Sequence, residues 1–331
     1  MPHALSGKVV VITGASSGIG QATALAFAKE GARLVLAARD ADALQAVADQ
    51  CGRALAEAIA VETDVTDAAS VKALAERAEA FGGRIDVWFS NVGVGAVGLF
   101  HETPMEAHEQ VIRANLIGHM NDAHAVLPIF LRQGQGVFIN MISLGGFTAM
   151  PWAAAYGASK FGLRGFSEAL RAELSPYREI HICDVYPAFV DTPGLAHGAN
   201  YTSKSISAPP PVTHADEVAK AVVRLARRPR PGVNVGAPAL AARMAHGLAP
   251  NTTGAAVGWF MRQWFKRAGP TTVTDGNLFA PPESPGGVDG GLRRVNRKAA
   301  IVAGIGLMAG AATLLTISRI PRRARGETRK P

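Results

Sequence analysis

Short apolar runs alternate with amphipathic stretches over the first 237 residues of the chain. Runs rich in β-branched and apolar side chains predict buried strands at 8–13, 33–39, 58–65, 84–91, 136–143, 179–187 and 232–236. Apolar residues at helical spacing predict helices between these strands, at about 67–81, 156–175 and 214–227 among others. This alternation predicts an α/β fold in which helices cover both faces of a doubly wound parallel sheet of about seven strands.

The pattern changes after residue 237 and divides the chain into five parts. The domain of alternating strands and helices covers 1–237, and a helical extension covers 238–268. A linker rich in Pro, Gly, Asp and Asn covers 269–298. An uncharged apolar run follows at 299–317, and a basic tail at 318–331 ends the chain.

Two segments of the extension each allow two interpretations. As a helix, 299–317 would have about the length of a bilayer core, and basic residues flank it on both sides, which favours a membrane-associated anchor. Because it contains only seven Leu, Ile and Val residues, a helix packed on the domain or on a partner stays open. Residues 259–267 interleave aromatic and basic side chains, which fits an interfacial helix or a helix packed on the domain.

Charge and cysteine content argue against several classes of protein. The net charge is +8, but residues 293–331 hold ten Lys and Arg against one acid, so the body is close to neutral and no nucleic-acid partner is expected. Cys51 and Cys183 lack the spacing of a disulfide framework or a zinc site, and the histidines form no ligand pattern, so no metal is expected. Since the N terminus has no secretory signal pattern, we expect a cytoplasmic domain.

A glycine-rich segment joins the first predicted strand to the first predicted helix. It runs Thr13-Gly14-Ala15-Ser16-Ser17-Gly18-Ile19-Gly20. Glycines allow a tight turn and close approach of a pyrophosphate, which the N–H groups and positive dipole end of the helix attract. A tight turn without a ligand is the alternative. The position after the first strand of an alternating pattern favours a dinucleotide site.

The end of the second predicted strand indicates which dinucleotide binds. An acid there would bind the 2′-hydroxyl of the adenosine ribose, whereas an arginine would bind a 2′-phosphate. The strand ends in Ala37-Ala38-Arg39, and Asp40 comes only after the arginine. We therefore expect NADP(H) to be preferred over NAD(H), by about ten- to hundredfold if one charge-assisted contact contributes about 1.5–3 kcal/mol. A solvated arginine at the start of a helix is the alternative.

Further residues occur at the spacing of a known family. Asn115 begins an Asn-Leu-Ile-Gly segment, Ser143 follows the fifth long strand, and Tyr156 stands four residues before Lys160. Together with the Thr-Gly-x-x-x-Gly-x-Gly turn, these residues resemble the short-chain dehydrogenases/reductases over 5–237. The resemblance implies a Rossmann-type fold, hydride exchange between a substrate and a nicotinamide cofactor, and a homo-oligomer.

The same resemblance implies the residues of the site. The catalytic residues would be Asn115, Ser143, Tyr156 and Lys160. The cofactor would contact Thr13, Gly14, Ser16, Ser17, Gly18, Ile19, Gly20, Arg39, Asp64, Val65, Asn91, Gly93, Tyr156, Lys160, Pro187, Val190 and Thr192. Asp64 and Val65 would lie near the adenine, and Lys160 would also hold the nicotinamide ribose.

Tyr156 and Lys160 are one turn apart and therefore share a helix face. A cation at this distance is expected to lower the pKa of Tyr156 from its ordinary value of about 10. Tyr156 would then serve as general acid/base on a carbonyl or alcohol, while Ser143 orients the same oxygen. Asn115 would anchor a water in a proton relay to Lys160, as the resemblance implies.

The substrate is less well defined than the chemistry. Val92 and Ala188 depart from the family pattern, where smaller residues are usual, and are expected to change the shape of the pocket. Apolar walls are expected from Phe147, Met150, Trp152 and Phe189, which predicts a lipophilic carbonyl or alcohol. The alternative function is a membrane-associated NADP(H)-binding scaffold or sensor with little turnover.

Overall fold

A computed structural model describes residues 5–209, 211–282 and 286–292 of the chain. The apolar run 299–317 and the basic tail 318–331 lie outside the described residues. Within the described ranges, no helix is long and apolar enough to cross a bilayer.

Strands and helices alternate along the chain. The strands are β1 (Val9–Thr13), β2 (Arg33–Ala38), β3 (Ala58–Glu62), β4 (Val87–Ser90), β5 (Ala96–Val97), β6 (Gly136–Met141), β7 (Ile180–Pro187), β8 (Val190–Asp191), β9 (Ala199–Asn200), β10 (Thr213–His214) and β11 (Gly232–Val235). The helices are α1 (Gly18–Lys29), α2 (Ala41–Arg53), α3 (Ala68–Gly82), α4 (Met105–Ile112), α5 (Gly118–Gln133), α6 (Ala154–Glu173), α7 (Gly194–His197), α8 (Ala215–Arg227), α9 (Ala237–Leu248) and α10 (Pro250–Lys266).

Seven strands form one parallel sheet in the order β3-β2-β1-β4-β6-β7-β11. Every residue of the central strand β1 is buried, because helices cover both faces of the sheet. Alternate residues of β1 point to opposite faces: Val10 and Ile12 pack with residues of α1, α2 and α8, whereas Val11 packs with residues of α3 and α5. The predicted doubly wound α/β sheet of about seven strands is confirmed.

The helices α4 and α5 had no predicted bounds. A π-helical turn, Arg113–Ile117, joins them, and Pro128 lies inside α5. Proline removes a backbone donor and the π turn changes the spacing of the apolar residues, so this region lacks a regular helical pattern. The turn lies beside the site, since Asn115 is one of its residues.

The chain after the last strand remains in contact with the domain. In α10, the indole N–H of Trp264 donates to the carbonyl of Ser207 at 3.2 Å, and Phe265 is buried with its ring 5.3 Å from that of Trp152. Of the two interpretations of 259–267, these contacts therefore favour a helix packed on the domain. Trp259 in the same helix is 60% exposed. The following segment, predicted as a linker, pairs with the domain through backbone hydrogen bonds between Thr274 and Asn200.

Candidate active site

The glycine-rich turn has the backbone conformation and crowding that require glycine. Gly14 and Gly18 have φ angles of +65° and +54°, in the left-handed region that glycine enters without steric cost. A Cβ on Gly20 would lie 2.0 Å from the carbonyl oxygen of Gly14, so no side chain fits there. The turn also comes close to Thr192, whose Cβ would be 3.2 Å from a Cβ on Gly18. The predicted cofactor residues of these two loops thus lie next to each other.

The buried carboxyl of Asp122, which the sequence analysis did not identify, supports this turn through hydrogen bonds. The carboxyl of Asp122 accepts hydrogen bonds from the hydroxyls of Thr13 at 3.0 Å and Ser90 at 2.6 Å. Burial raises the pKa of Asp122 to about 7, although these hydrogen bonds act in the opposite direction. The amide of Asn91 completes the support by donating to the carbonyls of Thr13 and Gly14. Asp122 lies seven residues after Asn115. A charged residue on the buried face of a helix was the signal that could have identified it.

Arg39 stands at the carboxyl end of β2, where the sequence predicted a phosphate ligand. Its guanidinium donates to the carbonyl of Asn277 at 2.7 Å and more weakly to those of Leu278 and Ala280 at 3.4 Å. The segment after α10 therefore reaches this edge of the sheet. Sequence analysis missed that contact because it joins residues about 240 positions apart.

The other predicted cofactor residues follow strands of the same sheet. Asp64 forms a local turn in which its carboxylate accepts from the N–H and hydroxyl of Thr66, and the buried Val65 accepts from Asn121 through its carbonyl. The turn after β1 carries three partly exposed residues, Ser16, Ser17 and Ile19. Gly93 follows β4, Pro187 ends β7, and Val190 begins β8. Because the strands are parallel, their carboxyl ends place these residues along one edge.

Ser143 lies directly beyond β6 in a strained backbone conformation. Its φ of 151° is uncommon for a residue with a side chain, and such strain tends to occur at functional sites. The Ser143 hydroxyl accepts from the N–H of Gly145 at 3.1 Å. A Cβ on Gly145 would lie 3.7 Å from this hydroxyl oxygen and 3.2 Å from the ring of Tyr156. The two hydroxyls that were predicted to share one substrate oxygen are therefore adjacent.

The pKa of Tyr156 differs in direction from the expectation. Burial raises the pKa of Tyr156, and the hydrogen bond from Ser143 lowers it only in part. Lys160 is itself 2% exposed, and burial lowers the pKa of its ammonium to about 7. Its Nζ donates to the carbonyl of Met141 at 3.0 Å and lies 5.7 Å from the centre of the Tyr156 ring. Burial disfavours both the phenolate of Tyr156 and the ammonium of Lys160, so the pKa of Tyr156 is raised and the expected lowering is not found.

Asn115 is wholly buried in the π-helical turn and forms hydrogen bonds with the loop after β4. Its carboxamide accepts from the N–H of Val94 and donates to the Val94 carbonyl, both at 2.8 Å. A further contact reaches the hydroxyl of Ser159 at 3.3 Å, next to Lys160. Its side chain thus fixes the position of the loop that carries Gly93.

His119 supports the same loop one turn further along. Its Nε2 lies 2.8 Å from the carbonyl of Val92, and its Nδ1 lies 2.9 Å from Oδ1 of Asn140. Burial, together with the nearby charge of Lys160, lowers the pKa of His119 to about 4, so the ring is neutral at pH 7. Val92, a departure from the family pattern, is held by this contact, while Ala188 is buried against Leu144.

An apolar cleft of about 490 Å³ opens beside the amino end of α6. Its lining is Leu99, Pro151, Trp152, Gly254, Ala255, Gly258 and Arg262. Trp152, four residues before Tyr156, is one of the four expected apolar walls. Phe147 is not a wall, because it is 5% exposed and packs against Tyr186 with a ring distance of 4.5 Å.

The residues at this edge fit a nicotinamide dinucleotide. The tight glycine turn leads into the N terminus of α1, where Ser17 makes no side-chain capping hydrogen bond. Backbone N–H groups and the helix dipole at such a turn attract phosphate. The guanidinium of Arg39 stands nearby on β2, and the hydroxyls of Ser143 and Tyr156 stand at the other end of the edge.

Comparisons with known proteins agree with this fold. Residues 8–200 match the family profile of the short chain dehydrogenases. An uncharacterized oxidoreductase of Listeria innocua is 39% identical over 189 residues, which cover 57% of this chain and 76% of the relative.

Two solved structures are also similar. The alcohol dehydrogenase of Thermococcus sibiricus, complexed with 5-hydroxy-NADP, superposes with a TM-score of 0.60 and 28% identity, covering 69% of this chain and 95% of that protein. A short-chain dehydrogenase/reductase of Burkholderia phymatum, in complex with NAD, gives a TM-score of 0.66 and 27% identity, covering 82% and 99%. The chain belongs to the short-chain dehydrogenase/reductase family and is an oxidoreductase of that family.

Proposed function

We propose that this enzyme interconverts a carbonyl and an alcohol with NADP(H), using Tyr156 as general acid/base. The observation that carries the proposal is that the Tyr156 ring and the Ser143 hydroxyl both flank Gly145, 3.2 and 3.7 Å from where its Cβ would lie, with the Lys160 ammonium one helical turn away. A substrate oxygen that replaces part of this pair would meet two hydroxyl donors. Similar hydroxyl pairs stabilise oxygen atoms on which negative charge develops.

Each catalytic side chain has a separate task in the proposed reaction. When bound, the nicotinamide donates the hydride in reduction or accepts it in oxidation. In reduction, Tyr156 gives its hydroxyl proton to the carbonyl oxygen, and Ser143 holds that oxygen by a hydrogen bond. A phenol with its ordinary pKa of about 10 already carries this proton at neutral pH, as the acid role requires. Lys160 orients the ribose and returns a proton to Tyr156, while Asn115 keeps the Gly93 loop in place.

NADP(H) is proposed over NAD(H) because of the second strand. Arg39 is the charged group at the end of β2, and the strand residues Ala37 and Ala38 before it carry no acid for a ribose 2′-hydroxyl. The related structures contain both kinds of cofactor, so the preference rests on Arg39 itself.

A lipophilic substrate is proposed from the apolar cleft beside α6. The cleft contains Leu99, Pro151 and Trp152, and one charged residue, Arg262, lines it. Phe100 and Met105 are more than half exposed and follow Leu99 in the chain, which adds apolar surface near that loop. Small charged carbonyl compounds are expected to be poor substrates.

Attachment to a membrane through 299–317, a cytoplasmic catalytic domain and a homo-oligomer are further parts of the proposal. They rest on the uncharged run with basic residues at both ends and on the family. Flotation with anionic lipid vesicles tests the anchor: the full chain is expected to float, and a chain ending at Leu292 is expected to remain at the bottom. Equal behaviour of the two chains would contradict the anchor.

Substitution Tyr156→Phe tests the proposed chemistry. It removes the hydroxyl proton, so turnover of an apolar ketone with NADPH should fall by about 10²–10⁴-fold, the usual contribution of general acid/base catalysis. NADPH binding, measured by fluorescence titration, should remain. Tyr177→Phe, at a half-exposed tyrosine, is the matched control and should keep full turnover. Unchanged turnover in Tyr156→Phe would contradict the acid/base role of Tyr156, whereas NADPH binding with negligible turnover in the wild type would favour the scaffold or sensor.

A further inference from the structure

The segment after α10 follows the edge of the sheet where the cofactor is proposed to bind. We call residues 275–282 and 286–292 the strap. The strap begins beside α7, where the N–H of Asn277 donates to the carbonyl of His197 at 2.8 Å. It reaches Arg39 next and ends beside Asp191. The sequence predicted only a linker here, so these contacts call for a separate explanation.

The strap accepts hydrogen bonds from the guanidinium of Arg39. The Arg39 guanidinium donates to the carbonyls of Asn277, Leu278 and Ala280. Leu278 anchors this part of the strap, because its side chain is wholly buried and Gln110 donates to its carbonyl at 3.1 Å. A 2′-phosphate would require the same planar set of N–H donors that the three carbonyls now engage.

The strap also accepts a hydrogen bond from a backbone N–H of the glycine-rich turn. The N–H of Gly18, the first residue of α1, donates to the carbonyl of Gly287 at 2.7 Å. Gly286 lies so close to the turn that a Cβ would be 3.0 Å from the carbonyl oxygen of Ser16. The strap thus lies directly on the backbone that would approach a pyrophosphate.

The far end of the strap is fixed on the loop that carries Thr192. The carboxylate of Asp191 accepts from the N–H groups of Gly290 and Leu292 at 3.1 and 2.8 Å. A Cβ on Gly290 would be 2.2 Å from the carbonyl oxygen of Thr192, which only glycine permits. A contact of 3.1 Å between Nε2 of His214 and the carboxylate of Asp289 adds to this attachment.

At Arg39 and at Gly18, the strap presents carbonyl oxygens to N–H groups that a dinucleotide would meet with phosphate oxygens. We propose that the strap is an intramolecular competitor of the dinucleotide, which must leave Arg39 and the glycine-rich turn before the cofactor binds. The inference rests on the proposed NADP(H) function. Cofactor binding then requires the strap to open first. The apparent affinity for the cofactor is the intrinsic affinity multiplied by the fraction of molecules whose strap is open.

Two substitutions at opposite ends of the strap test the competition in the full chain. Leu278→Ala removes the buried anchor, and Gly290→Ala introduces a Cβ that clashes with the backbone at Thr192. Gly269→Ala is the matched control, because its Cβ would have 4.0 Å to the nearest atom, the hydroxyl of Ser205. NADPH binding is followed by stopped-flow fluorescence, and folding of each variant by circular dichroism.

Both strap variants are expected to bind NADPH about tenfold more tightly, mainly through faster association, as for a strap closed in nine of ten molecules. The control should bind as the wild type does. Equal or weaker binding by both folded variants would overturn the competition. Absence of NADPH and NADH binding in the wild type and in every variant would instead overturn the proposed function, and the inference with it.

Hydrogen exchange of the wild-type chain gives an independent result that does not depend on folding of a variant. The N–H groups of Gly290, Leu292 and Asn277 are bonded in the closed strap. NADPH is expected to increase their exchange, because the cofactor displaces the strap. Stronger protection on addition of NADPH would overturn the competition and make the strap a clasp over the bound cofactor.

Discussion

The two ends of the proposed active site are held in place in different ways. At the catalytic end, buried hydrogen bonds within the sheet and its helices fix Asn115 and Lys160. At the phosphate end, Arg39 and Gly18 bond to a segment about 240 to 270 residues away in the sequence. The catalytic groups are therefore preorganised by the domain itself, whereas the phosphate donors depend on the position of the strap.

This difference separates chemistry from cofactor access. Substitutions at the catalytic end should reduce turnover with little effect on cofactor selectivity. Substitutions at the phosphate end should change cofactor binding and selectivity while the chemical step stays intact. Substitutions of Lys160 and Arg39 test that separation, and a substitution of Asp122, which has a smaller effect, tests the buried support of the glycine-rich turn.

Lys160→Met should have the largest effect, on turnover. The substitution removes the Nζ that stands behind Tyr156, and turnover with NADPH should fall by at least about 10²-fold. Because burial already opposes the charge of Lys160, the folded protein should keep its melting temperature within a few degrees. Lys72→Met, at an exposed lysine of α3, is the control. A large loss of melting temperature with intact turnover would show that Lys160 has a structural role.

Arg39→Ala should have the next largest effect, on the ratio of NADPH to NADH affinity. Loss of one charge-assisted contact of about 1.5–3 kcal/mol should lower this ratio about ten- to hundredfold, as measured by fluorescence titration with each cofactor. Since the substitution also releases the strap, NADH should bind slightly more tightly than to the wild type. Arg33→Ala changes an arginine at the other end of β2, which bonds to Glu57, and should leave the ratio unchanged. An unchanged ratio in Arg39→Ala would refute the phosphate role.

Asp122→Asn should have the smallest effect, on the pH dependence of stability. The pKa of Asp122 is raised from 3.8 to about 7, so the folded protein keeps a proton that the unfolded chain loses, and stability falls as pH rises from about 4 to 7. The pKa of His119 is lowered from 6.5 to about 4, so its contribution falls as pH decreases through the same range. In the wild type the two contributions oppose each other.

The variant removes the contribution of Asp122 and leaves that of His119. Its melting temperature should therefore rise more steeply than that of the wild type between pH 4 and 7, by several degrees for a difference of a few kcal/mol. Asp42→Asn, on the exposed face of α2, should follow the wild type. Parallel curves for Asp122→Asn and the wild type would contradict the raised pKa of Asp122.

Sequence patterns predicted the parts of the molecule that depend on local order. Apolar runs such as Val9–Thr13 predicted the seven strands of the sheet, because a strand buried on both faces requires apolar residues throughout. The glycine turn was likewise predicted, since Gly14 and Gly18 occupy conformations that glycine favours.

Features that depend on distant contacts or burial were not predicted. The strap contacts of Arg39 join positions far apart in the chain, and no periodic pattern marks them. The roles of Asp122 and His119 depend on complete burial within α5, where the π-helical turn and Pro128 interrupt the pattern. The direction of the pKa of Tyr156 depends on the same property, because spacing gave the distance to Lys160 but not the loss of solvent around both groups.

A fluorescence titration of the wild-type chain with NADPH and with NADH tests whether Arg39 selects the cofactor. We expect both cofactors to bind and NADPH to bind about ten- to hundredfold more tightly, because Arg39 recognises the additional phosphate once the strap has left it. Tighter binding of NADH, or equal binding of the two cofactors, would contradict the role of Arg39 and the proposed NADP(H)-dependent function.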